Sequence, residues 1–301
     1  MNIGILGAGS FGEKHIKVLK NIDIFNIQGF YDPDESRAEA IENKFQIKYY
    51  KNPDDLIEQC DAIDIVSETS SHYKMINKVM DYNKHIFIEK PICCHKSETN
   101  NLLKKSEGYD QVIQVGHIER YNPTIQQEEI SNQNIESIST KRTGTLNNRN
   151  KNTSIVLDLM IHDIDLIISN ISSKLTKIEA SKRKNLNVFD EHVECNLFFQ
   201  NGIKANLIAS RSLNMKNERT MKIHYNQEIL ELDLLNKRRR KIKQDNIQIL
   251  DCNKKNNPLE DEFISFYKSM KNNEKPIVGV KEACAAVNIA LQIEDIMKQN
   301  K

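Results

Sequence analysis

Asn2-Ile3-Gly4-Ile5-Leu6-Gly7-Ala8-Gly9-Ser10-Phe11-Gly12 opens the chain with an apolar run that ends in closely spaced glycines. The run is short and rich in isoleucine, as a strand buried in a parallel sheet requires. Beyond it, Ile16, Val18 and Leu19 read as the start of a helix. The whole chain has ten glycines, and Gly4, Gly7, Gly9 and Gly12 all fall here. A strand, a G-x-G-x-x-G turn and a helix, in that order, give each glycine a task. Gly7 permits the tight turn, Gly9 lets backbone approach a pyrophosphate, and Gly12 lets helix pack on strand. Ser10 and Phe11 complete the turn at the helix N-terminus, whose dipole suits phosphate charge. An ordinary tight turn also uses glycine, so a second feature is needed. The second strand supplies it by ending at Asp32, close to the ~20-residue spacing of the acid that binds a ribose 2′-hydroxyl. Asp32 would repel a 2′-phosphate, which favours NAD, while nearby Arg37 leaves NADP open. Asp32 also suits a helix N-cap in Asp32-Pro33-Asp34-Glu35, a role compatible with the first.

Working outward, residues 1–118 alternate short β-branched runs with helical stretches. Strand candidates are Asn2–Leu6, Ile24–Tyr31, Ile47–Tyr50, Ala62–Val66, His85–Ile88 and Val112–Val115. That alternation argues for βαβ units and a doubly wound parallel sheet. After Arg120-Tyr121-Asn122-Pro123 the pattern changes. Val193, Cys195, Leu197 and Phe199 alternate with polar residues, Asn201-Gly202 supplies a turn, and Ile203, Ala205, Leu207 and Ala209 alternate again. This is a hairpin with one buried face. Further strands fit Ser137–Thr143, Lys177–Arg183, Thr220–Tyr225 and Glu228–Leu234, and helices fit Leu259–Met270 and Lys281–Met297. The expected fold is α/β: a Rossmann domain over 1–118, then an α+β domain over 119–301 on an open, mostly antiparallel sheet.

Composition narrows the function classes. At 301 residues with 39% hydrophobic content, the chain supports about two domains. Lys+Arg of 43 against Asp+Glu of 42 leaves no global field to draw it to nucleic acid or anionic lipid. No apolar run is long enough to span a bilayer, so membrane insertion is not expected. A strand at Asn2 leaves no room for a signal peptide. The six cysteines form no C-x-x-C pair and no ligand spacing, so free thiols, a cytoplasmic location and no metal are expected. Lys237-Arg238-Arg239-Arg240-Lys241 reads as a solvated hairpin rather than a nucleic-acid patch, since no aromatics interleave it. Cys93-Cys94 reads as packing, because adjacent cysteines have the wrong geometry for an ordinary disulfide.

Two further constellations carry chemistry. Glu89-Lys90-Pro91 ends a strand of the parallel sheet, and ligands of such sheets bind beyond the carboxyl ends of the strands. Lys90 there would stabilise an alkoxide or move a proton; a plain surface lysine is the competing reading. Residues 155–168 are apolar nearly all round, as in a buried helix. Asp158, His162 and Asp165 lie at i, i+4 and i+7 and form one polar stripe on it. Burying such groups is costly unless each is partnered. Asp158 is placed to orient the His162 imidazole as a base, against the plainer reading of a satisfied core histidine.

Taken together, Gly7–Gly12, Glu89-Lys90-Pro91 and Asp158-x-x-x-His162-Asp163 resemble the Gfo/Idh/MocA oxidoreductases in order and spacing. The resemblance extends to Lys275-Pro276-Ile277-Val278 before the last helix. It implies a nicotinamide cofactor, hydride transfer at a sugar or cyclitol carbon, and a sheet used for oligomerisation. It implies that Lys90, Asp158 and His162 are the catalytic Lys, Asp and His. It also places Thr69, His72 and Glu89 with Lys90 on the cofactor side. The stretches from Val115 to Pro123 and from Val156 to Asp163 are most similar to the UDP-N-acetylglucosamine 3-dehydrogenase branch, which oxidises a sugar 3-hydroxyl on the way to a diamino sugar of lipid A. His117 and Arg120, with Asp158 and His162, are then expected at the substrate. Two positions depart from the family: Ser70 replaces a proline, and Thr153-Ser154-Ile155 replaces a glycine-rich segment. A dehydrogenase of free sugar or cyclitol is the alternative substrate reading, and a non-catalytic dinucleotide sensor the alternative class. The presence of both Lys90 and His162 favours the enzyme. Phe198 and Ile208, on the face opposite the hairpin's core side, lead us to expect a homo-oligomer, a dimer or tetramer.

Overall fold

The computed structural model describes residues 1–126, 135–146, 153–183, 191–244, 246–252 and 257–299. It divides into two compact units: Met1–Ile118 with Asn257–Cys284, and Glu119–Asn256 with Ala285–Lys301.

In the first unit the elements run β1 (Asn2–Leu6), α1 (Ser10–Leu19), β2 (Asn26–Tyr31), α2 (Glu35–Phe45), α3 (Pro53–Glu58), β3 (Ala62–Ile65), α4 (Thr69–Asp81), β4 (His85–Glu89), α5 (Lys96–Ser106) and β5 (Ile113–Gly116). The five strands pair in parallel in the order β2-β1-β3-β4-β5. Ile3, Ile5, Ile63, Ile65, Ile86, Phe87 and Ile88 are completely buried, which explains why these strands lack alternation. One charged side chain, Asp64, is completely buried in the middle of β3. The expected strand Ile47–Tyr50 forms only a bridge, Phe30 to Tyr49. Asn52 caps α3 and Pro53 begins it, so the chain turns away before a ladder can extend.

The second unit continues with α6 (Pro123–Gln126), β6 (Ile135–Thr145), α7 (Ile161–Asn170), β7 (Leu175–Arg183), β8 (Glu191–Phe199), β9 (Lys204–Ser212), β10 (Glu218–Tyr225), β11 (Glu228–Asp233), β12 (Arg238–Lys243) and β13 (Asn246–Leu250). Its eight strands lie in the order β13-β12-β11-β10-β6-β9-β8-β7. Every neighbour is antiparallel except β6 with β9. One face is the core, where Val193, Cys195, Leu197, Ala205, Leu207, Met221, Ile223 and Leu232 are buried.

The basic run proves to be a paired strand. Its β12 cations are matched by β11 acids: Arg240 bonds Glu231 at 2.7 Å, and Lys241 and Lys243 lie 3.3 and 3.0 Å from Glu228. The alternation that signals a strand is masked there because charged residues fill both faces.

Two helices close the chain, α8 (Pro258–Asn272) and α9 (Val280–Gln299). The sequence places α8 in a second domain starting at 119, but Asn257–Cys284 packs in the first unit. Leu259, Phe263, Phe266 and Met270 share one helix face and join the same buried cluster as Ile3, Ile16, Phe25 and Phe87. Phe263 stacks on Phe87 with ring centroids 4.6 Å apart. Helical periodicity announces that such a face will be buried, but not against which partner.

Candidate active site

The first unit builds a dinucleotide cradle. Gly7 has φ +111°, and a Cβ there would come within 2.7 Å of Ser67 backbone. At Gly12 a Cβ would meet the Gly7 carbonyl oxygen at 2.2 Å, which no side chain allows. Above Gly9 the space is open. Gly9 caps α1 without a side-chain bond, so the dipole's positive end is left for an anion. Ser10 is exposed and Phe11 half-buried in the same turn. These features fit the pyrophosphate of a dinucleotide.

Asp32 follows β2 and is buried, with its carboxylate already held in place. It accepts from the Ala8 N–H at 2.7 Å, from the Asp34 N–H at 2.9 Å and from the Arg37 guanidinium at 3.1 Å. Asp34, rather than Asp32, takes the N-cap role for α2 by accepting from the Arg37 N–H. Arg37 is half exposed and bonds both acids. This pairing opposes a 2′-phosphate with the Asp32 charge while keeping a cation within reach. Asp32→Ala should therefore weaken NADH binding about tenfold or more, on the scale of a charged hydrogen bond, and NADPH binding much less. Fluorescence titration with both nucleotides checks this. A wild-type preference for NADPH would reverse the assignment.

Thr69 is the first residue of α4 and half-buried. His72, one turn on, is buried, with Nδ1 2.8 Å from the Pro91 carbonyl and Nε2 3.1 Å from the Ser67 carbonyl. Burial holds its pKa below the ordinary value, against the pull of those two carbonyls. The sequence offers His72 to the cofactor; the structure has it tie the loop after β3 to the loop after β4. That second loop contains half-buried Lys90 and the cis Lys90–Pro91 bond. The Lys90 N–H donates to Glu89 at 3.2 Å. His117, just beyond β5, is buried, with its N–H donating to the Val115 carbonyl.

In the second unit, His162 is half-buried in the first turn of α7. The preceding residues, Val156–Met160, form a π-helical turn that carries Asp158. Such turns concentrate at functional sites because the extra residue re-aims the side chains. The sequence reads this stretch as one regular α-helix; apolar periodicity does not separate 3.6 from 4.4 residues per turn over five residues.

Each acid of the stretch has an arginine. Asp158 accepts from Arg211 at 3.1 Å, and Arg211 is buried and also bonds Glu191. Asp163 takes a bidentate contact from buried Arg142, which reaches on to Glu119 at 2.9 Å. Asp165 receives both Nε and Nη2 of Arg120, at 2.6 and 2.9 Å. Arg120, expected at the substrate, holds α7 through this pair. Burial pushes the Asp163 carboxyl up against the pull of Arg142. For Glu119, burial also pushes up, but Arg142 and Arg219 outweigh it and hold the carboxyl below the usual range. The sequence missed Arg142 and Arg211. Their signal is a charged residue at core parity in a strand: Arg142 follows Ile138 and Thr140, and Arg211 follows Leu207 and Ala209.

Residues 1–117 match the family model described as oxidoreductase family, NAD-binding Rossmann fold, and residues 129–231 match the GFO/IDH/MocA C-terminal domain. The chain belongs to the Gfo/Idh/MocA oxidoreductases. Like the family, it has an NAD-binding Rossmann domain, and it is an oxidoreductase. It is 26% identical to the UDP-N-acetylglucosamine 3-dehydrogenase of Acidithiobacillus ferrooxidans over 78% of this chain and 75% of that one. Against the myo-inositol 2-dehydrogenase of Thermotoga maritima it is 27% identical over 55% of this chain and 53% of that one. The solved structure of the Acidithiobacillus enzyme superposes with a TM-score of 0.90 at 24% identity, covering 99% of this chain and 98% of that one, and so shares the fold. Among the described residues, no helix is long and apolar enough to cross a membrane.

Proposed function

We propose that this Gfo/Idh/MocA dehydrogenase uses NAD to oxidise C3 of a UDP-linked N-acetylamino sugar, in the biosynthesis of a lipopolysaccharide or other cell-surface sugar. The observation that carries the reading is its similarity to the Acidithiobacillus 3-dehydrogenase across both units. Bound NAD supplies the hydride acceptor. When the C3–H bond breaks, the 3-hydroxyl must lose its proton, and the product is the 3-ketone. His162 takes that proton, aimed by the π-helical turn and by acids that arginines hold still. Lys90 holds the developing alkoxide by a charged hydrogen bond. Asp158 positions the histidine-bearing turn through its bond to Arg211.

The test is incubation with NAD and a panel of UDP-sugars, myo-inositol and glucose, reading nicotinamide absorbance and the keto product. Turnover of UDP-N-acetylglucosamine is expected. Turnover confined to myo-inositol or glucose would replace the substrate, and binding of NAD without any turnover would favour a sensor. All six cysteines are free thiols, in keeping with a cytoplasmic location beside the NAD pool.

A homo-oligomer, dimer or tetramer, belongs to the same reading. The register places Phe198, Lys204, Ser137, His224, Ile229, Ile242 and Ile247 in one row across the sheet face away from the core. The Lys177 and Lys204 ammonium groups cover Phe198, but Ile247 and Ile249 are 60% and 84% exposed. Apolar surface of this kind is commonly shared with a second subunit. Sedimentation equilibrium at micromolar protein should show at least a dimer; a monomer would remove this part of the reading.

A further inference from the structure

His15 lies inside the first unit, in the second turn of α1, and the dinucleotide motif gives it no task. Its ring is completely buried, edge-on to Phe87 and Phe263 at centroid distances of 6.0 and 5.4 Å. An apolar wall around an imidazole favours the neutral ring. Yet its two nitrogens face two carboxylates. Nδ1 is 2.9 Å from Asp64 Oδ2 on β3, and Nε2 is 3.3 Å from Glu89 Oε1 at the end of β4. A neutral imidazole has one N–H and serves one carboxylate; an imidazolium donates to Asp64 and also pairs its charge with Glu89. The other Glu89 oxygen accepts from the Lys90 N–H. Gly116 on β5 completes the enclosure, because a Cβ there would come within 3.1 Å of Glu89 Oε1.

We propose that His15 is a positioning residue for Lys90: bridging Asp64 and Glu89, it fixes the Glu89 carboxylate that holds the Lys90 backbone and sets the field at its ammonium. Burial lowers the pKa of His15, but Asp64 and Glu89 outweigh it and raise the value to about 10. Burial likewise pushes the Glu89 carboxyl up, and His15, Lys90 and His72 together pull it below the usual range. Asp64 is pushed up by burial against the pull of His15. The groups facing this cluster are thus Asp64 on β3, Glu89 and Lys90 at the end of β4, and His72 on α4. Asp64 and His15 are completely buried, so the series ends in the core and is a clamp rather than a proton path to solvent.

The inference rests on Lys90 having a part in the reaction, but its test needs no substrate. The Lys90 ammonium is labelled by reductive methylation with ¹³C-formaldehyde, and its resonance, assigned by Lys90→Arg, is followed with pH in the protein without substrate. In His15→Gln the Glu89 charge loses its counter-ion, so the Lys90 midpoint should rise by about one pH unit. In Glu89→Gln the anion itself is lost, so the midpoint should fall by about as much. Shifts of opposite sign support the clamp, and a purely architectural role gives no such ordering. Shifts of the same sign, or none in either variant, would overturn it. If His15→Gln fails to fold, long-range ¹H–¹⁵N spectra of the wild-type protein decide. Both His15 nitrogens protonated from about pH 6 to 9 support the clamp, whereas a neutral ring or ordinary titration rejects it. Failure of every UDP-sugar as substrate would overturn the proposed function and leave this result standing.

Discussion

His162→Ala is expected to lose about 10²–10⁴-fold in turnover, the usual cost of removing a general base. NADH affinity should be nearly unchanged, because the glycine turn and Asp32 that hold the dinucleotide are formed within residues 1–118. Lys90→Ala should lose a similar factor. Lys90→Arg should recover part of it, since the cation is kept but its shape is not. Asp158→Asn should lose less than His162→Ala: the amide oxygen still accepts from Arg211, and Arg211 keeps Glu191 as a second anchor. Steady-state kinetics alongside NADH titration separates these effects. If His162→Ala turns over at close to the wild-type rate, the histidine leaves the mechanism and Lys90 remains as the candidate base.

Arg142→Ala should cost about 3–5 kcal/mol of stability, the range seen when one partner of a buried ion pair is removed. Arg142 is almost fully buried and neutralises two carboxylates, Asp163 and Glu119. Deleting it strands Asp163 and leaves Glu119 with Arg219 as its remaining cation. The sign of the pH dependence follows. The Glu119 carboxyl is held below its usual range, so its stabilising contribution is present above the unfolded value and is lost as pH falls through the folded one. In Arg142→Ala that depression is weakened, with Arg219 left to hold Glu119, and both carboxyls become neutral more readily in acid. The gap to wild type should therefore be widest near pH 7 and narrow below about pH 5. Urea unfolding at several pH values measures it. A loss below about 1 kcal/mol at neutral pH would mean that the ion pairs do not hold α7.

The cofactor half of the site was legible because its chemistry is local. Gly7, Gly9, Gly12 and Asp32 are fixed by turn geometry and strand spacing, which the chain spells out in its first thirty-two residues. The catalytic candidates Lys90, Asp158 and His162 stood out by motif. What holds them did not, because a charge partner is chosen by the tertiary fold. Arg211 comes to Asp158 from β9, Arg142 to Asp163 from β6, and Glu89 to His15 from β4. Asp64 is hidden in an apolar strand, and His15 in a helix that follows directly on the glycine turn. The π-helical turn at Val156–Met160 depends on one extra residue per turn, which an unbroken apolar run conceals.

Because Asn257–Cys284 packs with Met1–Ile118, the order of synthesis matters. When the ribosome has released the five parallel strands, Phe25 and Phe87 still lack Phe263 and Phe266. The nascent nucleotide-binding half must wait for nearly the whole remaining chain with an aromatic surface uncovered. A chaperone that recognises exposed aromatics has its opportunity in that interval. For the same reason a fragment cut at residue 118 is a poor starting point for an isolated cofactor module, whereas residues 1–118 linked to 257–284 carry the complete buried cluster.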